Sequence, residues 1–565
     1  MAKAKNILFI MFDQLRWDYL SCYGHPHLKT PNIDRIAAQG VRFTNARIQS
    51  PLCGPSRMST YTGRYVHSHG SNWNGYPLKV GEMTMGDHLR SLGMDSWLVG
   101  KTHMEADAEG MRRLGLEPDS VIGARVAECG FDVFERDDGL LFEGPLRDVL
   151  KHHSSEKYNP YLQEKGYDSP NPWHDFANSG IDDAGNVLSG WFLKNSSEAA
   201  NIAEEDSETP YMTRRGIEFI ESQGDKPWLC HLSLIKPHWP YIVPAPYNDM
   251  YGPDDFVPAV RAEAELETDH PVIKGMHQWL VGKTFSRDEV RETVLGAYMG
   301  LIKQIDDQMG VLFNYLQESG RLKDTMIVLT ADHGDYLGDH WMGEKMFFHD
   351  PAVKVPLIIF DPSEEADATR GTTVDALVES IDLVPTFYEV AGGDISNVDH
   401  ILEGESLMPL IRGEAKETAR VASIAEYDFG HTPQAEAMNL HPDDSRMFMV
   451  ATKDWKLIHF LGGFRPVLFD LKNDPNELVD LGAREDHADI IKMMYGKLHD
   501  WSLRNAQRTT KTTKSILAGR RNMGQTGILL GVWDEHSLPP QATEQYRNRK
   551  VADHRDQARS REIER

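Results

Sequence analysis

One cysteine of this sequence lies in a run of residues that points to covalent chemistry. Cys53-Gly54-Pro55-Ser56-Arg57 is followed by Thr62-Gly63-Arg64, which fits the pattern C-x-P-S-R-x4-T-G-R. Pro55 favours the start of a helix, and backbone N–H groups at a helix N-terminus favour negative charge. Arg57 would lie one helical turn along, with a permanently charged guanidinium. The run predicts a nucleophile in an anion-binding site; the alternative is a buried structural cysteine beside a turn.

This run resembles the signature of the formylglycine-dependent sulfatases, a branch of the alkaline phosphatase superfamily. In that family a formylglycine-generating maturation enzyme oxidises the matching cysteine to an aldehyde, whose hydrate carries two hydroxyl groups on one carbon. One hydroxyl attacks sulfur, and proton removal from the other expels sulfate by C–O cleavage and regenerates the aldehyde. The resemblance implies that Cys53 becomes this formylglycine and that Arg57 stabilises the charge beside it. For Arg57, a structural salt bridge is the other interpretation.

Two polar pairs follow predicted strands and suggest a metal site. Asp13 and Gln14 come after FIMF, and Asp332 and His333 come after IVLTA. Ligand sites in doubly wound sheets collect at the carboxyl ends of strands, so we expect the pairs to meet. Together with an oxygen of residue 53, they form a mostly hard ligand set for one divalent cation. The imidazole favours Mn²⁺ over Ca²⁺ without excluding Ca²⁺. Taken alone, an Asp-His pair is more often a cap or a turn.

Three positions resemble the phosphonate monoester hydrolases of the same superfamily. Gln14 and His333 stand where arylsulfatases commonly have Asp and Asn, and Asn74 lies 21 residues after Cys53. The resemblance implies a substrate-binding role for Asn74. These positions leave the substrate class open between sulfate esters and phosphonate esters.

A further sequence element favours a sulfate ester as the substrate. Lys101-Thr102-His103 follows the predicted strand DSWLV and resembles the Lys-x-His element of arylsulfatases, which the phosphonate hydrolases lack. By this resemblance, His103 is the base that deprotonates the hemiacetal hydroxyl. Lys101 would hold the substrate oxygens as a point charge. An exposed loop pair is the alternative.

Two more residues match the leaving-group side of the family's site. His238 lies in KPHWP after the predicted strand WLCHLSLI, and Lys345 lies twelve residues beyond His333. The resemblance implies that both contact the substrate and share the task of protonating or stabilising the departing alkoxide. For His238, the alternative is a histidine locked in place by the prolines on either side.

Together these residues predict hydrolysis of sulfate esters of the arylsulfatase type. The alternative is a phosphonate monoester hydrolase or phosphodiesterase with the same site and cross-reactivity, because such substrates also carry one negative charge on a tetrahedral centre. A binding protein without catalysis would leave the Cys53 run unexplained. A serine- or threonine-type phosphatase is a further alternative, but Ser56 and Thr62 lack its sequence context.

The elements that must position these residues follow an α/β pattern. The apolar runs NILFIMF, DSWLVG, PWLCHLSLI, TMIVLT and VPLIIF are separated by helix-length segments such as 288–318. Alternating strands and helices predict an α/β protein, and the resemblance implies an alkaline-phosphatase-like large mixed sheet flanked by helices. FMVATKDWKLIHF and PVLFDL, separated by GGFR, predict a smaller C-terminal antiparallel sheet.

We expect three parts along the chain. Residues 1–418 form the catalytic domain, residues 419–505 form a small α+β domain, and residues 506–565 form a C-terminal arm or a solvated tail. The apolar island GILLGVW in the last part favours an arm that packs on a neighbouring copy, so we expect a homo-oligomer. The segment from about 105 to 205 is a candidate for the wall that selects the alcohol part of the substrate.

Composition and charge restrict the classes of molecule that the protein can bind. The 565 residues carry a formal net charge of −26, and binding to nucleic acid or anionic membranes needs basic surface. The substrate must therefore be a small anion held locally. The four cysteines lie far apart without a CxxC pair, which argues against a disulfide framework or a zinc site. The first apolar run is too short for a signal peptide, and no later run could span a membrane, so we expect a cytoplasmic protein.

Overall fold

The computed structural model describes residues 4–117, 120, 125, 129–139, 157–504, 510–520, 531–537 and 540. Its strands, numbered in chain order, are β1 Asn6–Asp13, β2 Val41–Phe43, β3 Ala46–Arg47, β4 Asp95–Gly100, β5 Asp132–Arg136, β6 Ser179–Ile181, β7 Val187–Ser189, β8 Ala199–Ala200, β9 Trp228–Pro237, β10 Val243–Pro244, β11 Thr325–Ala331, β12 Leu357–Phe360, β13 Thr372–Val374, β14 Val378–Glu379, β15 Ser423–Asp428, β16 Arg446–Ala451, β17 Trp455–Phe460 and β18 Val467–Asp470.

The α-helices of the described residues are numbered in the same way. They are α1 Pro31–Ala37, α2 Cys53–Thr62, α3 Val66–His69, α4 Met85–Arg90, α5 Ala108–Leu114, α6 Tyr158–Glu164, α7 Glu208–Ser222, α8 Pro271–Gln278, α9 Leu280–Phe285, α10 Asp288–Glu318, α11 Asp350–Val353, α12 Leu383–Val390, α13 Met408–Ile411, α14 Pro433–Ala437, α15 Ala488–Arg504 and α16 Thr513–Arg520. The long helix predicted at 288–318 is therefore confirmed.

The main sheet is mixed, as predicted. Within the described residues it has eight strands in the order β13-β2-β12-β11-β1-β9-β4-β5. Strand β12 runs antiparallel to both of its neighbours, β11 and β2, whereas the other pairs are parallel. All residues of β1, β9 and β11 are buried, which explains why their sequences are nearly continuous apolar runs. Helix α10 packs on this sheet together with α7 and α1.

Four neighbouring parallel strands end at the same edge of this sheet. In sheet order they are β11, β1, β9 and β4, and their last residues are Ala331, Asp13, Pro237 and Gly100. The loops that follow these strands must meet at that edge because the strands run in one direction. The fold therefore brings together residues that lie more than 300 positions apart in the sequence, such as Asp13 and Asp332.

A smaller antiparallel sheet confirms the prediction for the C-terminal part. Strands β15, β16, β17 and β18 pair in that order, each antiparallel to the next. Helix α15 covers one face, and the shared core includes Val450, Leu457, Leu468 and Met494. Tyr65 and Ile381, which precede this sheet in the chain, belong to the same core cluster. Both sheets lie in one compact unit, so the boundary at 418 remains a prediction.

The predicted C-terminal arm falls mainly outside the described residues. Of residues 506–565 the structure describes 510–520, which include helix α16, and also 531–537 and 540. Of the apolar island GILLGVW, only the last three residues are described, and the Trp533 side chain is 94% exposed. In the part of the chain that the structure describes, no helix is long and apolar enough to cross a bilayer.

One buried carboxyl group of the small sheet gives a prediction for stability. Glu426 on β15 accepts a hydrogen bond of 2.8 Å from the backbone N–H of His67. Burial raises the pKa of this carboxyl group to about 8, compared with its ordinary value of 4.5. The hydrogen bond from the His67 N–H lowers the pKa, and the nearby Glu403 carboxylate raises it. The folded protein thus keeps a proton that the unfolded chain has released between pH 4.5 and pH 8. Stability must fall as the pH rises through this window.

Glu426→Gln is therefore expected to raise the melting temperature by a few degrees at pH 9. The gain should shrink as the pH falls below 8 and disappear near pH 4.5, where both folded and unfolded wild-type chains are protonated. Calorimetry of both proteins across this range measures it. Glu436→Gln, at an exposed position of α14, is the matched control and should show no such trend. A difference that is the same at every pH would contradict the ionisation argument.

Candidate active site

Cys53 is the first residue of α2, and its thiol is buried. Gly63 ends this helix in a left-handed conformation with φ of 66°, which explains why a glycine follows Thr62 in the sequence. The Cys53 side chain is 1% exposed; its Sγ lies 3.0 Å from His333 Nε2 and 3.3 Å from Lys345 Nζ. Asn74 Oδ1 accepts a 2.8 Å hydrogen bond from the Gly54 N–H, at the same helix end. Asn74 therefore fixes the backbone beside Cys53.

Arg57 lies near the Cys53 thiol, and its guanidinium forms ion pairs with two carboxylates. Its guanidinium is fully buried and donates to Asp332 Oδ2 at 2.8 Å and to Asp13 Oδ2 at 3.1 Å. Further hydrogen bonds go to Ser233 Oγ and to the Lys101 carbonyl. Burial by itself would lower the pKa of Arg57, but the two aspartates raise it well above its usual value. The guanidinium is therefore a fixed positive charge directed toward the carboxylates.

Lys101 and His103 lie on the loop after β4 and face the same site. Lys101 Nζ is 2.6 Å from Asp13 Oδ2, and the Lys101 side chain is buried. Burial would raise the pKa of Asp13, but the charges of Lys101, His238 and Arg57 hold it well below its usual range. His103 lies near the Cys53 thiol and lines the same cavity. Burial lowers the pKa of His103, so its imidazole is neutral and able to accept a proton at neutral pH.

The Gln14 side chain is held in one orientation by two residues that sequence patterns did not single out. Its Nε2 donates to Tyr241 Oη at 2.9 Å and also to the Asp335 carboxylate, and Tyr241 Oη donates to Asp335 at 2.5 Å. The amide oxygen is thereby turned to the other side, where Lys345 Nζ donates to it at 2.9 Å. Asp335 lies two residues after His333, which is the one sequence signal that could have drawn attention to it.

Four of the predicted metal ligands converge. One ligand atom each from Asp13, Cys53, Asp332 and His333 lies within 4.8 Å of the others, and all four side chains are buried. The amide oxygen of Gln14 faces Lys345 on the rim of this cluster. Two carboxylates and one imidazole in such a space fit a divalent cation that accepts oxygen and nitrogen ligands. Burial lowers the pKa of His333, which keeps the imidazole neutral as a metal ligand must be.

His238 and Lys345, the residues predicted to act on the leaving group, also border this cluster. His238 Nε2 is 3.9 Å from Asp13 Oδ1, and its Nδ1 is 2.7 Å from the Trp239 carbonyl oxygen. Burial would lower the pKa of Lys345, but Cys53 and Glu344 raise it above its usual range, so Lys345 stays charged. Glu344 accepts a 2.8 Å hydrogen bond from the Trp239 indole N–H.

These side chains surround one cavity of about 410 Å³. All of the predicted substrate-side residues line it, namely Cys53, Asn74, Lys101, His103, His238 and Lys345. Its other wall is apolar and includes Trp173, Ile235, Trp239, Trp279 and Val281. The structure therefore brings every predicted site residue to one place, with the carboxylates and Arg57 beneath the cavity floor. The tryptophans were not predicted as site residues; Trp239 lies in the KPHWP run, where only His238 was given a role, and Trp173 and Trp279 lie in segments without a recognisable motif.

Comparisons with known proteins find related sequences over most of the chain. The profile of the Sulfatase family matches residues 5–393, and that of the N-sulphoglucosamine sulphohydrolase C-terminal region matches residues 338–504. The chain is 30% identical over 538 residues to the multifunctional alkaline phosphatase superfamily protein PehA of Trinickia caryophylli, covering 91% of this chain and 98% of that one. It is 28% identical over 499 residues to an arylsulfatase of Clostridium perfringens, covering 86% and 92%.

Two solved structures are similar to this chain over most of its length. The phosphonate monoester hydrolase of Agrobacterium radiobacter superposes with a TM-score of 0.76 at 27% identity, over 90% of this chain and 97% of that one. The phosphonate monoester hydrolase from Silicibacter pomeroyi gives a TM-score of 0.77 at 26% identity, over 90% and 98%. The similarity therefore includes both sheets.

Proposed function

The chain belongs to the sulfatase family, and we propose that it hydrolyses sulfate esters with a formylglycine derived from Cys53 and one bound divalent cation. The observation that carries this proposal is the convergence of Lys101, His103 and Lys345 on Cys53 in one cavity. These groups supply two fixed positive charges and one proton acceptor around the reacting centre. A sulfate ester needs such charges because its sulfate oxygens are already negative and its leaving oxygen gains negative charge in the transition state.

Asp13, Gln14, residue 53, Asp332 and His333 would hold the cation, which is Mn²⁺ or Ca²⁺. When bound, it would polarise the substrate and stabilise a deprotonated hydroxyl group on residue 53. Arg57 already compensates the charges of Asp13 and Asp332 and so keeps the two carboxylates in place. We infer that Arg57 acts on the reaction through these ligands, because its hydrogen bonds go to them and to neighbouring oxygens.

The remaining residues would each act on one part of the substrate. A formylglycine hydrate supplies one hydroxyl group for attack and a second for the later release of sulfate. Lys101 and Lys345 would hold the ester oxygens, and Asn74 would fix the helix end beside residue 53. His103, which lies near residue 53 in the cavity, would remove the proton that releases sulfate. His238 and Lys345 would stabilise the departing alcohol. Formylglycine also requires a maturation enzyme as a partner.

His103→Gln is expected to lower kcat by about 10²- to 10⁴-fold, the usual contribution of a positioned general base. Sulfate release should be slowed most, so a burst of alcohol equal to the enzyme concentration should precede a very slow steady state. Stopped-flow measurement with a chromogenic aryl sulfate detects this burst. His441→Gln, at an exposed histidine outside the cavity, serves as the control and should behave as wild type. Equal rates in both variants would show that His103 is not the base.

A second candidate, hydrolysis of phosphonate monoesters or phosphodiesters, is favoured by the Gln14 amide. A neutral amide in place of a carboxylate leaves the cluster less negative, and the hydrogen bonds from Gln14 to Tyr241 and Asp335 show that this amide is built into the site. Comparison of kcat/KM for an aryl sulfate and an aryl phosphonate monoester with the same leaving group separates the two functions. A clear preference for the sulfate supports our first proposal, and a clear preference for the phosphonate would replace it.

A further inference from the structure

A second, larger opening lies beside the catalytic cavity. We call it the tryptophan cleft; it has a volume of about 820 Å³ and is lined by Trp191, Phe192, Trp239 and Leu280, among others. It shares Trp239, Val281 and Glu344 with the catalytic cavity, so the two openings meet at these residues. A ligand bound at Cys53 would therefore lie beside the cleft.

The walls of the cleft expose an unusual amount of apolar surface. Leu280 is 74% exposed, Phe192 is 62% exposed and Trp191 is 42% exposed. The ring centroids of Trp191 and Trp239 are 5.0 Å apart, so the exposed tryptophan continues the apolar surface that begins in the cavity. Exposed apolar groups that cluster around one opening mark a binding surface, whereas single ones are common on any protein.

The charges of the cleft do not favour a second anionic group. Its charged lining residues are two cations and two anions, namely Lys194, Arg287, Glu289 and Glu344. The Arg287 guanidinium pairs with Glu289 at 3.2 Å, and Glu344 accepts the Trp239 indole N–H. A polyanionic alcohol would find no excess of positive charge here. The lining suits a neutral, apolar group.

Trp239 also lies next to the leaving-group residues. The Trp239 ring centroid is 4.0 Å from the His238 ring centroid and 5.9 Å from Lys345 Nζ. An alcohol that leaves between His238 and Lys345 therefore meets Trp239 first and the cleft beyond it. We propose that the tryptophan cleft binds the alcohol part of the substrate, and that this part is a neutral apolar chain or ring system extending beyond a single aromatic ring. This inference rests on the proposed function.

The experiment uses 4-alkylphenyl sulfates, from ethyl to hexyl, below their micelle concentrations. A para alkyl chain hardly changes the acidity of the phenol, so differences in kcat/KM report binding of the chain alone. Each buried methylene group is worth roughly a threefold gain. Hexyl has four more methylene groups than ethyl, so we expect kcat/KM to rise by up to about 80-fold from ethyl to hexyl in the wild-type enzyme.

Two variants locate this gain in the cleft. Phe192→Ser and Leu280→Ser should each reduce the hexyl-to-ethyl ratio of kcat/KM several-fold. Val421→Ser is the matched control, because Val421 is 65% exposed but does not line the cleft, and it should leave the ratio unchanged. A ratio that does not respond to either cleft variant would place the chain elsewhere and overturn the inference.

The outcomes separate this inference from the proposed function. Turnover of the ethyl ester without any gain from longer chains would overturn the inference and leave the function standing. If neither sulfate nor phosphonate esters are turned over, the function fails. Calorimetric binding of 4-hexylphenol, compared with 4-ethylphenol, then tests the cleft without catalysis, and equal affinities would refute it. If Leu280→Ser changes the molecular mass of the protein in solution but leaves the hexyl-to-ethyl ratio of kcat/KM unchanged, the cleft is a contact with another copy of the chain and the inference is overturned.

Discussion

Replacing Cys53 with alanine is expected to lower kcat/KM toward sulfate esters by a factor on the order of 10⁴ or more, while the protein remains folded. The thiol lies next to His333 and Lys345, and no other thiol or hydroxyl group lines the cavity among the described residues. The alanine side chain removes the attacking atom and leaves the surrounding charges in place.

Mass spectrometry supplies the second half of this test. Conversion of the thiol to an aldehyde lowers the mass of the peptide containing residue 53 by about 18 Da. We expect this loss in active wild-type protein. Cys22→Ser, at a half-buried cysteine outside the cavity, is the control and should keep both the mass loss and the activity. Activity from protein with an unmodified Cys53, or from Cys53→Ala, would rule out formylglycine as the nucleophile.

The second large effect concerns stability and the metal. Arg57→Met should reduce the free energy of unfolding by about 3–5 kcal/mol in the presence of a chelator, because it leaves Asp13 and Asp332 buried without their shared positive partner. A divalent cation held by the same carboxylates would replace part of that charge. Saturating Mn²⁺ or Ca²⁺ should therefore restore more stability to the variant than it adds to the wild type.

Calorimetry with chelator and with each cation measures this difference. Arg57→Lys, which keeps one positive charge but not the two-sided hydrogen bonding, should fall between the wild type and Arg57→Met. Equal losses with and without the cation would mean that Asp13 and Asp332 do not hold it. The comparison of Mn²⁺ with Ca²⁺ also addresses which cation the site prefers, independently of any enzymatic rate.

Most of the fold could be predicted because the central strands have a clear sequence signal. Strands buried on both faces, such as β1 and β11, read as continuous apolar runs, and the long helix α10 has a clear apolar periodicity. The rule that ligands gather at carboxyl ends of parallel strands then placed Asp13, Lys101 and Asp332 correctly at one edge. The family prediction is confirmed by the comparisons.

What the sequence could not predict depends on contacts between distant segments. Tyr241 and Asp335 meet only through the tertiary fold, so their hold on Gln14 leaves no local pattern. The hydrogen bonds of Arg57 to Ser233 Oγ and to the Lys101 carbonyl were also not predictable, because helix geometry fixes where the Arg57 Cα lies but not which distant acceptors its guanidinium reaches. Trp191 comes from a segment without periodicity, where side-chain placement follows packing and not secondary structure.

The burial of Cys53 has a consequence for the order of events during protein synthesis. The groups that enclose its thiol, His333 and Lys345, are encoded 280 and 292 positions later in the chain. At roughly 5–20 residues per second, the ribosome needs a quarter of a minute to a minute to reach them. During that interval residue 53 has left the ribosome, but the pocket that encloses it does not yet exist. The side chain is 1% exposed once folding is complete, so the maturation enzyme that our proposal requires would have to act within this interval or on a chain that has not yet folded.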